Sequence, residues 1–296
     1  MPLRSEPRVV GVVSARMAST RCPGKALVPL AGRALLRVLL ERIASVPVLD
    51  SVALATSRLP ENRPLVEIAR ALGIPSFEGD EEDVLKRHVE CARAMKADHV
   101  VRITGDNPLT DLETLERLVE LHLEGGGADY TYVPGDGLLM GILSEVISLR
   151  ALELSWAQGD ARHRSELVTL YIKEHPDQFK IRLGELPSGL YRPEYRLTVD
   201  EPEDVLLVQA LFERLTRPGH VVTAREALDL LDREPALAQI NAAARHKAAN
   251  LRSVALDEAV IAQVRARENA ATPPRGMPRV TPKSRTRSGP GGSATS

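Results

Sequence analysis

The stretch SARMASTRCPGKAL, Ser14–Leu27, follows a short apolar run, Val9–Val13, and sets Arg16, Arg21 and Lys25 among small residues, glycine and proline. Cations of this kind cannot be buried unpaired, while Ala15, Ala18, Ser19 and Gly24 let the backbone come close to a ligand. A solvated surface loop would also carry a few arginines. Position favours an anion-binding loop, because a loop leaving the first strand of an α/β sheet lies at the carboxyl end of that strand, where open sheets bind nucleotides. A polyphosphate is the natural guest. Two familiar phosphate motifs are missing: Ser19 stands where the first glycine of GxxxxGK[ST] belongs and Ala26 follows the lysine, and no GxGxxG follows a strand.

Around this loop, short β-like runs alternate with helix-length periodic segments. That is the pattern of βαβ units and a mostly parallel, Rossmann-like nucleotide-binding sheet sandwiched by helices, an α/β fold. Strands are expected near Val9–Val13, Val52–Ala55, His99–Ile103 and Asp129–Val133. Leu35, Leu36, Leu39, Leu40 and Ile43 recur at helical spacing, as do Leu65, Ile68, Ala69 and Leu72, and Leu112, Leu115, Leu118 and Val119. Asp111 is the expected cap of the last of these helices, and Gly73 and Gly125 are expected stops. From about Gly135 to Tyr191 the alternation loosens, with helices expected around Leu149–Ala157 and Ser165–Lys173 and a strand at Phe179–Leu183. Helices over Glu203–Leu215 and Ala224–Leu231, the second capped by Thr223, complete a unit over residues 1–244. A helical extension over 245–271 follows. Residues 272–296, rich in Pro, Gly, Ser, Thr and Arg, read as a disordered basic tail.

Bulk properties narrow the function. A formal net charge of -1 gives no global attraction to nucleic acid or acidic membranes, so a polyanion must be met by a local cluster. The basic tail has no aromatic residues for base stacking, so nucleic acid is not an expected partner. Cys22 and Cys91 form no CxxC or zinc-type spacing, which fits a reducing compartment. No signal-peptide pattern and no apolar run of roughly 20 residues is present, so no membrane association and a cytoplasmic location are expected. HExxH, GxSxG and catalytic-cysteine patterns are absent, which ranks hydrolases low.

Two acids complete the candidate site. ITGDNP places Asp106 directly after a strand and a glycine, at the sheet edge where the Ser14–Lys25 loop should also emerge, although Asp-Asn-Pro is also turn chemistry. Asp200, in TVDEP, follows a second β-like run, and its alternative reading is a helix N-cap ahead of Glu203 and Asp204. Two carboxylates at adjacent strand ends could hold magnesium, which prefers oxygen ligands and keeps several waters for substrate phosphates.

The opening loop resembles the signature of the cytidylyltransferases that make CMP-activated acidic sugars, most closely the spore coat polysaccharide biosynthesis protein F subgroup. Further matches follow in order: LATS at Leu54–Ser57, GDEEDVLKR at Gly79–Arg87, VRITGDNPL at Val101–Leu109 and RLTVDEPEDVLLV at Arg196–Val208. The resemblance implies a fold of the nucleotide-diphospho-sugar transferase kind and a nucleotidyltransferase domain over 1–244. Its 135–191 region would carry the acceptor pocket and the contact of a homodimer. It implies CTP as donor, Mg2+ bound by Asp106 and Asp200, and Arg16, Lys25 and Asp106 as the catalytic set. Ser14, Ala15, Arg16, Ser19, Thr20, Arg21, Gly24, Lys25, Ala55, Thr56, Ser57, Arg87, Thr104 and Gly105 match positions expected near the nucleotide. The bland reading of Arg87 is an exposed helical arginine. Arg102, four residues before Asp106 on a strand, would share its face and support the site from behind.

The acceptor side departs from the family pattern. Where relatives commonly show Gly-Leu-Asp-Val-Glu, this chain has DGLLMGIL, Asp136–Leu143, with Leu139 and Met140 at polar or charged positions. Where Glu-His-Val-Thr-Pro is frequent, it has ELVTL, Glu166–Leu170, with Leu167 in place of histidine. These changes imply a small anionic acceptor of unusual kind, namely a different acidic sugar, an alditol phosphate or a phosphonate, or else reduced activity. The competing readings are a nucleotide-sugar-dependent glycosyltransferase of polysaccharide biosynthesis, whose Asp-x-Asp motif is absent near Asp106, and a nucleotide-binding homologue with an altered acceptor site.

Overall fold

The computed structural model describes residues 6–19, 21–135, 141–245 and 251–271. Thr20, Leu139, Met140 and the expected disordered tail at 272–296 lie outside the described residues. The opening apolar run forms β1 (Val9–Ser14). Val10 and Val12 enter one hydrophobic core while Val9 and Val13 enter another, so the strand is buried on both faces and cannot alternate with polar residues.

After the cationic loop come β2 (Pro29–Leu30), β3 (Arg33–Ala34), α1 (Leu35–Ala44), β4 (Ser51–Ser57), α2 (Arg63–Ala71), β5 (Ser76–Gly79), α3 (Val84–Ala94), β6 (His99–Thr104) and α4 (Leu112–Leu123). The chain continues through β7 (Tyr130–Tyr132), β8 (Glu145–Ser148), α5 (Leu149–Gln158), α6 (Leu170–Glu174), β9 (Ile181–Leu183), α7 (Pro202–Leu215), α8 (Ala224–Arg233), α9 (Pro235–Ala238), α10 (Ala242–Arg245) and α11 (Leu251–Ala271). β2 and β3 pair as a small hairpin, and the remaining strands form one sheet in the order β5-β4-β1-β6-β8-β7-β9. Within that sheet, among the described residues, only β8 runs against its neighbours. The sheet is therefore mostly parallel and sandwiched by helices, an α/β fold as the sequence implies.

Helices α1, α2 and α4 pack on one face of the sheet, and α3, α5, α6 and α11 on the other. A third cluster, centred on α7 and α8, is joined by Leu109, Leu197 and Val199. Local signals act as read. Asp111 Oδ1 accepts the Thr114 N–H at 2.8 Å to cap α4, and Thr223 and Glu226 form a reciprocal capping box on α8. Gly73 leaves α2 in the left-handed region.

Three local features differ from the sequence reading. β5 is a four-residue strand at the sheet edge, too short to show a period. β8 is wholly buried although it begins with Glu145, whose carboxylate is neutralised by Arg102 on the paired strand. The helix expected over Ser165–Lys173 exists only from Leu170, because the Glu166 carbonyl accepts from Arg102 instead of a helical N–H.

β1 lies between β4 and β6, and the chain visits β4 and β5 on one side before crossing to β6 on the other. The carboxyl ends of β1 and β6 therefore form the switch point at which an open parallel sheet leaves a crevice. Ser14 is in register with Thr104, and the Gly105 N–H donates to the Ser14 carbonyl at 2.8 Å. A Cβ at Gly105 would lie 2.6 Å from Ala15 Cβ and 2.8 Å from the Ser14 carbonyl oxygen. Gly105→Ala should therefore force these strand ends apart and cost about 1–3 kcal/mol, read as a lower urea midpoint. An unchanged midpoint would show that the juncture tolerates the added methyl.

Candidate active site

A cavity of about 690 Å³ opens over the carboxyl ends of β1 and β6. The loop after β1 brings Ser14, Ala15, Arg16, Ser19, Arg21 and Lys25 to it, β6 and the turn beyond bring Thr104, Gly105 and Asp106, and the segment before α7 brings Asp200. Gly24, in the left-handed region at φ 73°, turns the loop into a single 3-10 turn, Lys25–Leu27, which starts Lys25 toward the cavity.

Lys25 Nζ lies 2.7 Å from Asp106 Oδ2 and 2.8 Å from Asp200 Oδ1. Three chain segments far apart in sequence thus meet at one ammonium group. Arg21 adds a looser contact to Asp200 at 3.5 Å and one to Glu201 at 3.1 Å. Behind Asp200, the buried Arg196 holds its other oxygen at 3.1 Å and also binds the fully buried Asp204 at 2.9 Å. Asn241 donates to Asp204 and to the Arg196 carbonyl, both at 2.9 Å.

This network settles the alternative reading of Asp200. The cap of α7 is Glu201, whose N–H donates to Asp204 at 2.9 Å, while the Asp200 carboxylate faces Lys25. Burial alone would raise the Asp200 carboxyl, but Lys25, Arg21 and Arg196 outweigh it and hold it below the usual carboxylate range. Burial likewise opposes the charge on Lys25, and the two aspartates overcome it and raise that group.

The donor set suits a hard divalent cation. Lys25 Nζ already sits where a cation shared by the two carboxylates would sit, and carboxylate oxygens are the preferred ligands of magnesium. Among the described residues no group of three or more His, Cys, Asp or Glu could hold a metal ion. Two carboxylates would leave its remaining positions to water and substrate oxygens.

Arg16 and Arg87 form a second cationic centre. Arg16 pairs with Glu81 at 3.0 Å and with the exposed Glu166 at 2.9 Å. Arg87, far from being an exposed helical residue, is 1% exposed; it donates to the Asp80 and Glu81 carbonyls and, at 3.5 Å, to Ser14 Oγ. Burial, reinforced by the nearby Arg16, pulls its guanidinium down to about 10. A buried cation beside another cation favours an incoming anion.

The opposite part of the lining comes from β7, β8 and residues 166–167. Arg102 lines the cavity and bridges Glu145 at 2.7 Å and the Glu166 carbonyl at 2.9 Å. Glu145 also accepts from Tyr130 and, at 3.0 Å, from Thr169. Burial would raise its carboxyl, and Arg102 and Lys173 hold it down. His88, fully buried in the same wall, is driven to about 3 by burial and by Arg102 and stays neutral.

The structure does not bring Ala55, Thr56 and Ser57 to the cavity. All three are fully buried in β4; the Ala55 carbonyl accepts the Ala15 N–H at 3.2 Å, and Ser57 Oγ accepts from Asn62 at 2.6 Å. Their geometry supports the loop from beneath. Conversely, sequence reasoning passed over Glu145, His88, Arg196 and Asp204. The spacing of Arg196 to Asp200 and Asp204, four and eight residues inside an already recognised motif, was the available signal for the last pair.

Comparison with known proteins follows the same lines. A family model described as Cytidylyltransferase matches residues 10–246. The spore coat polysaccharide biosynthesis protein SpsF of Bacillus subtilis is 36% identical over 233 residues, covering 77% of this chain and 95% of that protein. A 3-deoxy-manno-octulosonate cytidylyltransferase of Trichlorobacter lovleyi is 30% identical over 122 residues, 40% of this chain and 47% of the relative. The solved structure of a cytidylyltransferase from Leptospira borgpetersenii superposes with a TM-score of 0.71 at 25% identity, covering 79% of this chain and 98% of that one.

The charge cluster has a direct pH signature. Because the folded Asp200 pKa is depressed, its contribution to stability is present above the unfolded carboxylate value, about 3.9, and is lost as pH falls through the folded value. Lys25→Met removes the strongest of the forces that depress it, so burial should push Asp200 up and shift the acid limb of the stability profile to higher pH. Urea unfolding of both proteins between pH 2 and 7 measures this. Superimposable acid limbs would rule out the coupling.

Proposed function

The chain belongs to the cytidylyltransferase family, and we propose that it transfers CMP from CTP to an oxygen of a small anionic acceptor. The acceptor oxygen attacks the α-phosphorus, a new O–P bond forms, the bond to the β-phosphate oxygen breaks and pyrophosphate leaves. The acceptor's proton, where it carries one, passes to solvent. The observation that carries this reading is the meeting of Lys25, Asp106 and Asp200 within 2.8 Å contacts at the switch point of the sheet.

Transfer at phosphorus asks little covalent help of a protein, so positioning and charge neutralisation do most of the work. Asp106 and Asp200 would hold Mg2+, which supplies Lewis-acid stabilisation of phosphate oxygens when bound. With its two carboxylates engaged elsewhere, the Lys25 ammonium is released to the triphosphate. Arg16, which shares its guanidinium between Glu81 and the exposed Glu166, can exchange Glu166 for a phosphate oxygen without losing its half-buried contact to Glu81. Arg21 is the most exposed of the three cations and assists from the rim.

The acceptor panel follows from the family and from this chain's departures: acidic sugars, with 3-deoxy-manno-octulosonate first because it names a matching relative, then alditol phosphates and phosphonates. The exposed Leu167 lines the cavity at a position where the family pattern frequently has histidine, which supports an acceptor of a different kind. No helix among the described residues is long and apolar enough to cross a membrane.

Preorganised charge contributes about 3–4 kcal/mol per contact, so Lys25→Ala and Asp106→Ala should each lower turnover by roughly two to three powers of ten. Pyrophosphate release from CTP, magnesium and the acceptor panel is the assay. Near-normal release by either variant would remove that residue from the mechanism. Release of free nucleoside diphosphate from a nucleotide sugar would instead support glycosyl transfer.

A further inference from the structure

Helix α11 begins at Leu251, beyond the end of the family match at residue 246. It is nevertheless built into the core: Val260 and Val264 are buried in the same cluster as Tyr130 and Tyr132 of β7. Arg267 donates to the Pro176 and Phe179 carbonyls, both at 3.1 Å, and fixes the far part of the helix beside β9.

Asp257 is the feature that packing alone does not account for. Its carboxylate is 4% exposed, lies 3.0 Å from the equally buried Lys173 Nζ and accepts the Gly135 N–H at 2.9 Å. A helix needed only to cover the sheet would do as well with a leucine there, since exchanging a buried ion pair for apolar side chains is often neutral or stabilising. What the carboxylate adds is a directional bond to one backbone position, just past the carboxyl end of β7. Tyr132 and Val133, three and two residues before that position, line the cavity, and Lys173 Nζ rests 4.4 Å from the centroid of the Tyr132 ring. Lys173 also contributes to the field that keeps Glu145 ionised, and Glu145 anchors Arg102 on the same wall.

We propose that α11 is a positioning element of the acceptor-facing wall: Asp257 tethers the carboxyl end of β7 through the Gly135 N–H, while Lys173 neutralises the tethering carboxylate. The assignment of that wall to the acceptor rests on the cytidylyl-transfer reading. The tether itself does not. The wall formed by β7 and β8 is thus held from outside the family-matched region, whereas the cationic loop and its two aspartates are held from within it.

Two double variants of the full-length chain separate the tether from the charge pair. Asp257→Leu with Lys173→Met removes both charges and the acceptor for Gly135; Asp257→Asn with Lys173→Met removes both charges but leaves an amide oxygen for it. Hydrogen exchange of peptides covering 130–135 and 141–148 should rise at least about tenfold in the first variant and stay near wild type in the second. The dissociation constant of CTP with magnesium should stay within about twofold of wild type in both, because the β1 loop is untouched. In the wild-type chain, the Gly135 amide should be protected as strongly as the α11 amides, a measurement that stands even if the leucine variant fails to fold. Equal exchange in the two variants, an unprotected Gly135 amide, or loss of CTP affinity in the asparagine variant would overturn the proposal. Failure of the wild-type chain to release pyrophosphate across the acceptor panel would overturn the transfer reading instead, and leaves the exchange pattern as the test of the tether.

Discussion

One ammonium group sits between carboxylates 81 and 175 residues away in sequence, and the candidate site depends on that meeting. Without Lys25, Asp106 and Asp200 would face each other across a partly desolvated space, where like charges about 4 Å apart repel by about 4 kcal/mol at an effective dielectric of 20. The lysine removes this repulsion and ties the β1 loop, the β6 turn and the segment before α7 to one point. Backbone geometry reinforces it: the Val199 N–H donates to the Asp106 carbonyl at 2.9 Å, beside the salt bridges themselves.

Each partner of the cluster is held by a different layer of the fold. Asp106 depends on the approach of Gly105 to Ser14, which only a residue without a Cβ permits. Asp200 depends on Arg196, Asp204 and Asn241, a buried polar network in which the charged pair is supported by further hydrogen bonds and so avoids most of the penalty of isolated buried charge. Lys25 depends on the left-handed turn at Gly24. A change in any one of these supports alters the geometry of the other two groups through the shared ion pairs.

The sheet and most helices were legible because their chemistry is local. β1 shows its burial as an uninterrupted apolar run, and Asp111 and Thr223 announce the helices they cap. The cationic loop and the two acids stood out as strong charges beside small residues and strand ends, but each kept a second reading, as a solvated loop, a turn or a helix cap, until the contacts of Lys25 with both aspartates were known. What could not be read was long-range compensation. Glu145 looks like a loop residue until Arg102 is known to face it, and β8 was hidden for that reason. Arg87 has the composition of a solvated helix residue, yet three carbonyl and hydroxyl oxygens from β1 and the α3 entry take it into the core. Ala55, Thr56 and Ser57 sit near the loop in space but beneath it, a distinction between touching a ligand and supporting what touches it that spacing does not carry.

The charge inventory of the cavity bears on the form in which a nucleotide would enter. Lys25, Arg16 and Arg21 each already have carboxylate partners, so a bare triphosphate gains their attraction only against Asp106, Asp200, Glu201, Glu81 and Glu166. Five acids beside a tetra-anionic ligand would offset most of what these three cations contribute. A triphosphate accompanied by a divalent cation would change the balance, because Asp106 and Asp200 would hold the cation and leave Lys25 to the phosphates. Under the proposed reaction, the paired state of the free site thus discriminates against the uncomplexed nucleotide. The formal net charge of -1 suits this arrangement, since selection rests on the local exchange of partners and needs no general attraction for polyanions.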